Sequence, residues 1–202
     1  MKKLLGFSIF LVFVLIASLT AEAKVTLPAI FSDNMVLQQN TQVNVWGKAA
    51  PGEKVTVKAS WLDKPVTAKA AANGKWTVKL KTPKATTNQS VTVSGENEIT
   101  INNVLIGEVW LCTGQSNMEF PVSRHPDVKW NTGMLNEAEE LKDADYPEIR
   151  LFHVKHQLAH EGELDDCEGE WLVCNPKNLY DFSAVGFVFG RKLYKELKMP
   201  VG

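Results

Sequence analysis

The sequence predicts a mixed fold in which an all-β domain is followed by the first part of an α/β domain with a parallel sheet. Short runs of alternating apolar and polar residues fill residues 25–106. A nearly continuous apolar run at 104–112 then changes the pattern, and 183–197 carries apolar residues at spacings of three and four. We therefore expect an all-β domain over 24–106 and an α/β domain over 107–202.

The first domain is expected to be a small β-sandwich, because its strands are short and evenly spaced. Alternation with a period of two places one face of each strand in a core and the other in water. Pro51-Gly52 follows the first strand, and Asn73-Gly74 predicts a hairpin turn just before Trp76. We interpret this domain as a structural or weakly sugar-binding module. Strands are expected at residues 43–46, 55–57, 76–80, 91–93 and 99–101.

The second domain alternates strands and helices, which predicts a parallel sheet. Residues 104–112 are expected to form a strand that is buried on both faces, and 149–154 form a second strand. Residues 134–142 are rich in helix formers and predict a surface helix. The stretch between about 157 and 178 reads as irregular.

The last predicted helix covers 183–197, with Ser183 as its N-cap and Pro200 as the residue that ends it. A helix in an α/β fold leads into a further strand. We therefore expect the second domain to be incomplete at its C-terminal end.

Charge and hydropathy limit the location and the partners of the protein. The formal net charge is −1, without a basic stripe, so nucleic acid and anionic membrane surfaces are poor partners. Lys2 and Lys3 precede an apolar run at 4–19, and the small-x-small pattern Ala21-Glu22-Ala23 follows. This order predicts a signal peptide at 1–23, cleaved before Lys24, with an uncleaved membrane anchor as the alternative. The expected destination is the periplasm or the exterior.

Three cysteines, Cys112, Cys167 and Cys174, allow two interpretations. In an oxidising compartment Cys167 and Cys174 can pair, which leaves Cys112 as a buried strand residue. The alternative is three unpaired thiols. No CxxC or Cys-His spacing suggests zinc, and we expect no metal site.

The turn after the 104–112 run is the candidate catalytic segment. Ser116 lies just beyond the carboxyl end of that predicted strand, where α/β folds place their ligands. Gly114 permits a tight turn, Gln115 and Asn117 supply amide donors, and a helix that starts at or after Ser116 offers free backbone N–H groups to an oxyanion. An ordinary turn is the alternative, since these residue types favour turns. Met118 replaces the second glycine of the G-x-S-x-G nucleophile elbow.

The segment GEVWLCTGQSNMEFPV, residues 107–122, resembles the nucleophile block of the sialate O-acetylesterases, within the wider SGNH (GDSL-like) hydrolase superfamily. The resemblance continues in order over essentially the whole mature chain. It includes LPAIFSDNMVLQQ (27–39), VWGKAAPGEKVTV (45–57), NGKWTVKL (73–80), INNVLIGEVW (101–110), PEIRLFHV (147–154) and DFSAVGFVFGRKLYKEL (181–197).

The resemblance implies an SGNH-type α/β/α (flavodoxin-like) hydrolase domain and hydrolysis of acetyl esters on sialic acid hydroxyls, without a metal or organic cofactor. Ser116 would be the acylated nucleophile, and its backbone N–H the first oxyanion donor. The family's other oxyanion donors are a Gly and an Asn on later loops, and its base is a His in an Asp-x-x-His block. These blocks do not occur in the chain and are expected beyond Gly202.

The histidines within the chain are weaker candidates for the base. His125 follows Ser116 in a proline-containing loop, with Asp127 as its only evident acid neighbour. His153 and His156 would face opposite sides of a strand, and His160 reads as a loop residue. The carboxylate of Glu119 is explained by its place near a helix N-terminus, and Asp181 and Ser183 read as capping residues.

Two classes of function stay open from the sequence. The first is a secreted serine esterase for acetylated sialic acid, or for another acetylated carbohydrate such as acetylxylan. The second is a catalytically inactive fragment that binds glycans or serves as a scaffold. The oligomeric state is open as well.

Overall fold

The computed structural model describes residues 24–127, 133–160 and 162–202. The predicted signal peptide, residues 1–23, lies outside the described residues and stays a prediction. The strands are β1 (Val36–Gln38), β2 (Gln42–Lys48), β3 (Lys54–Ala59), β4 (Val66–Lys69), β5 (Lys75–Lys81), β6 (Thr86–Ser94), β7 (Glu98–Gly107), β8 (Tyr146–Phe152) and β9 (Trp171–Cys174). The helices are α1 (Ser116–Glu119), α2 (Glu137–Lys142), α3 (Pro176–Leu179) and α4 (Ala184–Leu197).

The first seven strands form two sheets around one apolar core. Five strands pair in the order β1-β7-β6-β3-β4, with β1 parallel to β7, while β2 pairs with β5 in a separate antiparallel sheet. Buried and exposed residues alternate strictly along β5, as a period-two pattern requires. Val45 of β2 and Leu80 of β5 share the core with Val57 of β3 and Val93 of β6. The mixed α/β class is confirmed, and the description of the two sheets as a sandwich stays a prediction.

All five strands expected before residue 104 are present, and two strands were missed. β1 is very short, and β4 is only half-buried, so neither gives a strong periodic signal. The turn at Asn73-Gly74 is present, with Gly74 at a φ of 76°. It does not close a hairpin, because β4 pairs with β3 and β5 pairs with β2, so the turn connects the two sheets.

The apolar run at 104–112 is not a single buried strand. β7 ends at Gly107, where an added Cβ would lie 2.0 Å from the Pro200 carbonyl oxygen. Beyond this point the side chains emerge from the core, and Leu111 is 85% exposed. Cys112, predicted to be buried, is exposed as well. Apolar composition alone did not distinguish core residues from the apolar wall of a cavity.

Parallel pairing occurs where residues 200–202 lie between two segments. Val201 bridges Glu108 on one side and Ile149 on the other, both in parallel. The amide of Trp110 donates to the Gly202 carbonyl at 3.0 Å. In contrast, β8 pairs with β9 in antiparallel orientation, so this layer is mixed rather than purely parallel.

Two predictions for the second domain need correction, and the bounds of the last helix are confirmed. The stretch 157–178 contains β9 and α3, which were not predicted because each is only four residues long. The surface helix starts at Glu137 rather than at 134. The last helix has the predicted N-cap, since Ser183 Oγ accepts a hydrogen bond from the Gly186 amide at 3.1 Å. It ends before Pro200, because Lys198 adopts the left-handed conformation with a φ of 53°.

A second apolar cluster lies between α4 and β8. Its buried side chains are Val122, Ala144, Ile149, Leu151, Cys174, Leu179 and Phe187. Trp171 of β9 instead packs into the core of the first seven strands. Within the described ranges, no helix has the length and apolar character needed to cross a membrane.

Candidate active site

The segment that leads to Ser116 is held by two glutamine side chains at the end of β1, Gln38 within the strand and Gln39 directly after it. The amides of Gln38 and Gln39 donate to Glu108 Oε1 at 3.2 and 2.9 Å, and Gln38 Oε1 accepts from the Val109 amide at 2.9 Å. Sequence reasoning missed these two glutamines as part of the site. Their only signal was the adjacent pair of amide side chains directly after an apolar run.

Ser116 is the first residue of α1, and its side chain is exposed. Gln115 holds the extended N-cap position, but its side chain makes no capping hydrogen bond. Among the described residues, the backbone amides of Ser116 and Asn117 have no hydrogen-bond acceptor. The geometry therefore has the free N–H groups that the sequence analysis required of an oxyanion site.

Gly114 lies against the helix that follows it. A Cβ at this position would lie 3.3 Å from the Cβ of Met118, which is tight packing. The absence of a side chain lets the chain turn closely in front of α1. This agrees with the turn role predicted for Gly114.

The short helix α1 is attached to the N-terminus of α4. The Phe120 carbonyl accepts from the Ala184 amide at 2.8 Å, and the Val122 amide donates to the Phe182 carbonyl at 2.9 Å. Ser183 Oγ also approaches Met118 Sδ at 3.6 Å. Because α4 is the longest helix among the described residues, these contacts connect the Ser116 turn to a rigid element.

Ser116 lies in the wall of a cavity of about 820 Å³. Gly114 and Gln115 line the same cavity, whereas Asn117 does not. The rest of the wall combines apolar residues with two histidines, one carboxylate and the cationic side chains of Arg150 and Lys155. These residues include Trp110, Leu111, Phe152, Phe182, Phe187, Phe189, His153, His156 and Glu119.

Two of the four histidines therefore face the cavity of Ser116. His156 Nε2 lies 3.5 Å from Glu119 Oε1, so Glu119 pairs with a histidine rather than only with solvent. The ring of His153 packs edge-on against Phe182, with 6.4 Å between ring centroids. Within the described part of the chain, no hydrogen bond joins Ser116 Oγ to a histidine.

The acid partner expected for His125 was wrong. His125 Nε2 lies 2.8 Å from Asp181 Oδ1, not beside Asp127, and its ring packs edge-on against Tyr180. Asp181 is therefore an ion-pair partner and not a helix cap, whereas Ser183 is a cap as predicted. His125 does not line the Ser116 cavity, and neither does His160.

The three cysteines are unpaired, so of the two interpretations left open by the sequence the one with three free thiols holds. Cys174 is buried in the second apolar cluster, and this burial raises its pKa to about 12. Burial also raises the pKa of Cys167, with the charge of Asp166 adding to the effect. Spacing along the chain could not reveal that Cys174 points into this cluster.

Arg150 is a second residue that the sequence analysis missed. It is buried on β8 and lines the Ser116 cavity, and its Nη2 donates to Asn103 Oδ1 at 3.2 Å. Its Nε and Nη1 atoms have no partner within the described residues. Desolvation by this burial lowers the pKa of the guanidinium.

Among the described residues, no cluster of His, Cys, Asp or Glu is arranged to hold a metal.

Comparison with known proteins gives consistent relatives, although no protein-family model matches the chain. Sialate O-acetylesterase from Mus musculus is 33% identical over 194 residues, which cover 86% of this chain and 34% of the mouse protein. The human sialate O-acetylesterase is 31% identical over 190 residues, with 85% and 34% covered. The chain thus spans about a third of the length of these curated relatives.

The fold comparison agrees with the sequence comparison. The crystal structure of a carbohydrate acetylesterase from Xanthomonas citri matches with a TM-score of 0.77 and 31% identity. The match covers 88% of this chain and 39% of the bacterial chain. Shared sequence and shared fold together show that the chain belongs to the sialate O-acetylesterase-like hydrolase family.

Proposed function

We propose that this chain carries the nucleophile of a secreted serine esterase that removes acetyl groups from hydroxyls of sialic acids or related sugars. One observation carries the proposal. In a chain whose relatives are named acetylesterases, Ser116 is an exposed residue at the start of a helix and in the wall of a large cavity. Its location agrees with the role that the resemblance implies.

The chemistry begins with attack of Ser116 Oγ on the acetyl carbonyl carbon. A C–O bond to the serine forms, and the negative charge that develops on the carbonyl oxygen is stabilised by the backbone amides of Ser116 and Asn117. The ester bond then breaks and the sugar hydroxyl leaves with a proton. Water hydrolyses the acetyl-serine and releases acetate. The side-chain amide of Gln115, which lines the cavity, serves as a supporting donor, whereas the Asn117 side chain lies outside the cavity.

The general base is expected to be a histidine, because a serine hydroxyl is a weak nucleophile until its proton is removed. The resemblance assigns this role to an Asp-x-x-His block that is not part of residues 1–202. His153 and His156 are the histidines that the fold brings to the same cavity. We propose no metal or organic cofactor.

The proposal extends to the location and the domain organisation of the protein. We infer a signal peptide at 1–23, export to the periplasm or the exterior, a β-sandwich at 24–106 and an SGNH-type α/β/α hydrolase domain at 107–202. The sandwich is supported by the two sheets that share one buried core. The relatives' names support an acetylated sugar as the substrate, and the bacterial carbohydrate acetylesterase favours a wider sugar range as the second candidate.

The test measures acetate release from O-acetylated sialic acid and hydrolysis of p-nitrophenyl acetate. Ser116→Ala is expected to lower the rate at least about 1,000-fold, as loss of a serine nucleophile does in other serine hydrolases. Ser60→Ala is the control, because Ser60 is an exposed serine on the β part that bonds only Gln89 and Ser90. Turnover that survives Ser116→Ala would contradict the proposal. Sugar binding without any turnover by a protein that includes the Asp-x-x-His block would favour the glycan-binding alternative.

A further inference from the structure

A second cavity, of about 780 Å³, lies on the β part of the protein. None of the residues that line it lines the Ser116 cavity. Its wall includes outward-facing side chains of β2 and β5 and two aspartates from the segment before β9. Nothing in the proposed esterase chemistry uses these groups.

Trp46 gives the cavity an exposed aromatic surface. Its side chain is 41% exposed on β2, and its ring packs edge-on against Phe31 with 4.6 Å between ring centroids. The antiparallel register places Trp46 opposite Thr77, and Lys48 opposite Lys75. The indole of Trp46 is thus held in place and partly exposed, with short and long polar side chains beside it. Such a surface suits a ligand with one apolar face and several hydroxyls.

The charged groups of the cavity leave an excess of positive charge. Asp165 lies between Lys48 at 3.1 Å and Lys75 at 2.6 Å, and these ammonium groups lower the pKa of its carboxyl. Lys69 also lines the cavity and has no ion-pair partner within the described residues.

The other carboxylate, that of Asp166, already accepts hydrogen bonds from protein amides. Asp166 Oδ1 bonds the amides of Ala29 at 3.0 Å and Cys167 at 2.8 Å. Three lysines therefore face two carboxylates that are already engaged, which favours an anionic group on the ligand.

Trp76 lies on the other face of the β2–β5 sheet from Trp46. The antiparallel register pairs Trp76 with Gly47 and Trp46 with Thr77, so the Trp76 side chain points inward, and it is only 3% exposed. Its indole nitrogen is buried and therefore does not contact a ligand that stacks on Trp46. Trp76 still lines the cavity, so its NMR signal can report a ligand bound there.

We propose that this cavity binds a sugar unit that carries a carboxylate. Trp46 stacks on the apolar face of the sugar ring, and Lys69 binds the carboxylate. The site is separate from the Ser116 cavity and does not rest on the esterase proposal. It would hold an acidic glycan on the β part of the protein.

The test follows the six tryptophan indole N–H signals of the ¹⁵N-labelled chain by NMR during titration. The probes are N-acetylneuraminic acid and glucuronic acid, with N-acetylglucosamine as the neutral comparison. We expect both acids to shift the Trp46 and Trp76 signals, and to bind about fivefold more tightly than the neutral sugar, as one exposed charge pair allows.

Variants separate this site from the Ser116 cavity. Trp46→Ala is expected to weaken binding of both acids about tenfold, and Lys69→Gln about threefold. Lys79→Gln is the matched control for charge, because Lys79 is an exposed lysine on β5 outside the cavity. Trp110→Ala is the control for the aromatic surface, because Trp110 is an exposed tryptophan of the Ser116 cavity.

Three results would overturn the inference. The first is that neither the Trp46 nor the Trp76 signal moves with either acid. The second is equal affinity for the neutral sugar. The third is binding that survives Trp46→Ala but is lost in Trp110→Ala, because the sugar would then occupy only the Ser116 cavity. Ser116→Ala should leave the Trp46 and Trp76 shifts unchanged, whatever the outcome for the esterase.

Discussion

The three thiols of the chain differ in their surroundings, and this difference sets their reactivity. Cys112 is exposed on the approach to Ser116, whereas Cys174 is buried beside Leu179 and Phe187. The thiolate is the reactive form, and burial holds the pKa of Cys174 at about 12. Cys112 is therefore the accessible thiol near the candidate active site.

We predict that a thiol reagent such as Ellman's reagent modifies the native protein in distinct phases at pH 8. Cys112 should react first, and Cys174 should react only when the protein unfolds. In the denatured and unreduced chain, three thiols per molecule should therefore react in total. Cys112→Ser should remove the fast phase alone. If only one thiol per molecule reacts in the denatured, unreduced chain, the other two cysteines form a disulfide and the assignment of three free thiols is wrong.

Local residue chemistry explains which parts of the site could be predicted. The Ser116 turn could be located because Gly, Gln, Ser and Asn follow an apolar run directly in the chain. The partner of His125 could not be predicted, because Asp181 is far from it in sequence and only the fold brings the two side chains together. The same limit applies to the two glutamines that hold Glu108, because their contact depends on pairing of β1 with β7.

At the scale of elements, an ion pair connects the helices α2 and α4. Arg191 of α4 bonds both carboxylate oxygens of Glu140 of α2, with 3.0 Å between Nη2 and Oε1, and Glu140 is only 10% exposed. These hydrogen bonds are the main cause of a lowered pKa for Glu140, relative to its ordinary value of 4.5. A carboxyl whose pKa falls on folding stabilises the fold at pH values above its unfolded pKa.

We predict that Glu140→Gln lowers the free energy of unfolding by about 1–2 kcal/mol at pH 7, between the values for exposed and buried pairs. The difference from the unaltered protein should shrink as the pH falls below about 4.5, because Glu140 becomes protonated in both states. Urea unfolding at several pH values measures this. Glu196→Gln, which removes an exposed pair with Lys192, should have no measurable effect. Equal destabilisation at pH 7 and pH 3 would contradict the assignment.

Elements with strong local signals were predictable, although some of their endpoints were not. The α4 pattern and its Ser183 cap are local features, so the helix was found to its last residue, Leu197. β7 was extended past Gly107 because side chains 109–112 are apolar, although they line a cavity. β9 and α3 are too short for a periodic pattern, and packing rather than propensity stabilises them.

For the whole molecule, Trp171 anchors β9 to the core of the first seven strands. It belongs to β9, yet it packs into the core of the first seven strands, and its Nε1 donates to the Ile30 carbonyl at 2.8 Å. Its ring also contacts Phe152 of β8, with 5.2 Å between centroids. The mixed fold could be predicted from a change in periodicity near residue 107. The contact of Trp171 with the first core could not be predicted, because it joins residues that are far apart in sequence.

We predict that Trp171→Ala lowers the free energy of unfolding by about 3–5 kcal/mol, the usual cost of removing a buried aromatic side chain. The two clusters should then unfold in separate transitions, because β9, which pairs with β8, loses its side-chain anchor in the first core. Denaturant unfolding followed by circular dichroism and by fluorescence tests this. Trp110→Ala, at an exposed position, should cost less than about 1 kcal/mol. A single transition with the stability of the unaltered protein would refute the anchoring role.

The central claim is that the Ser116 hydroxyl accepts the acyl group. It is tested most directly by treatment with a fluorophosphonate probe, followed by mass spectrometry of the peptides. The account predicts one adduct, on the peptide that contains Ser116, retained in Ser60→Ala and absent in Ser116→Ala. An adduct on another serine, or an unlabelled protein, would contradict it.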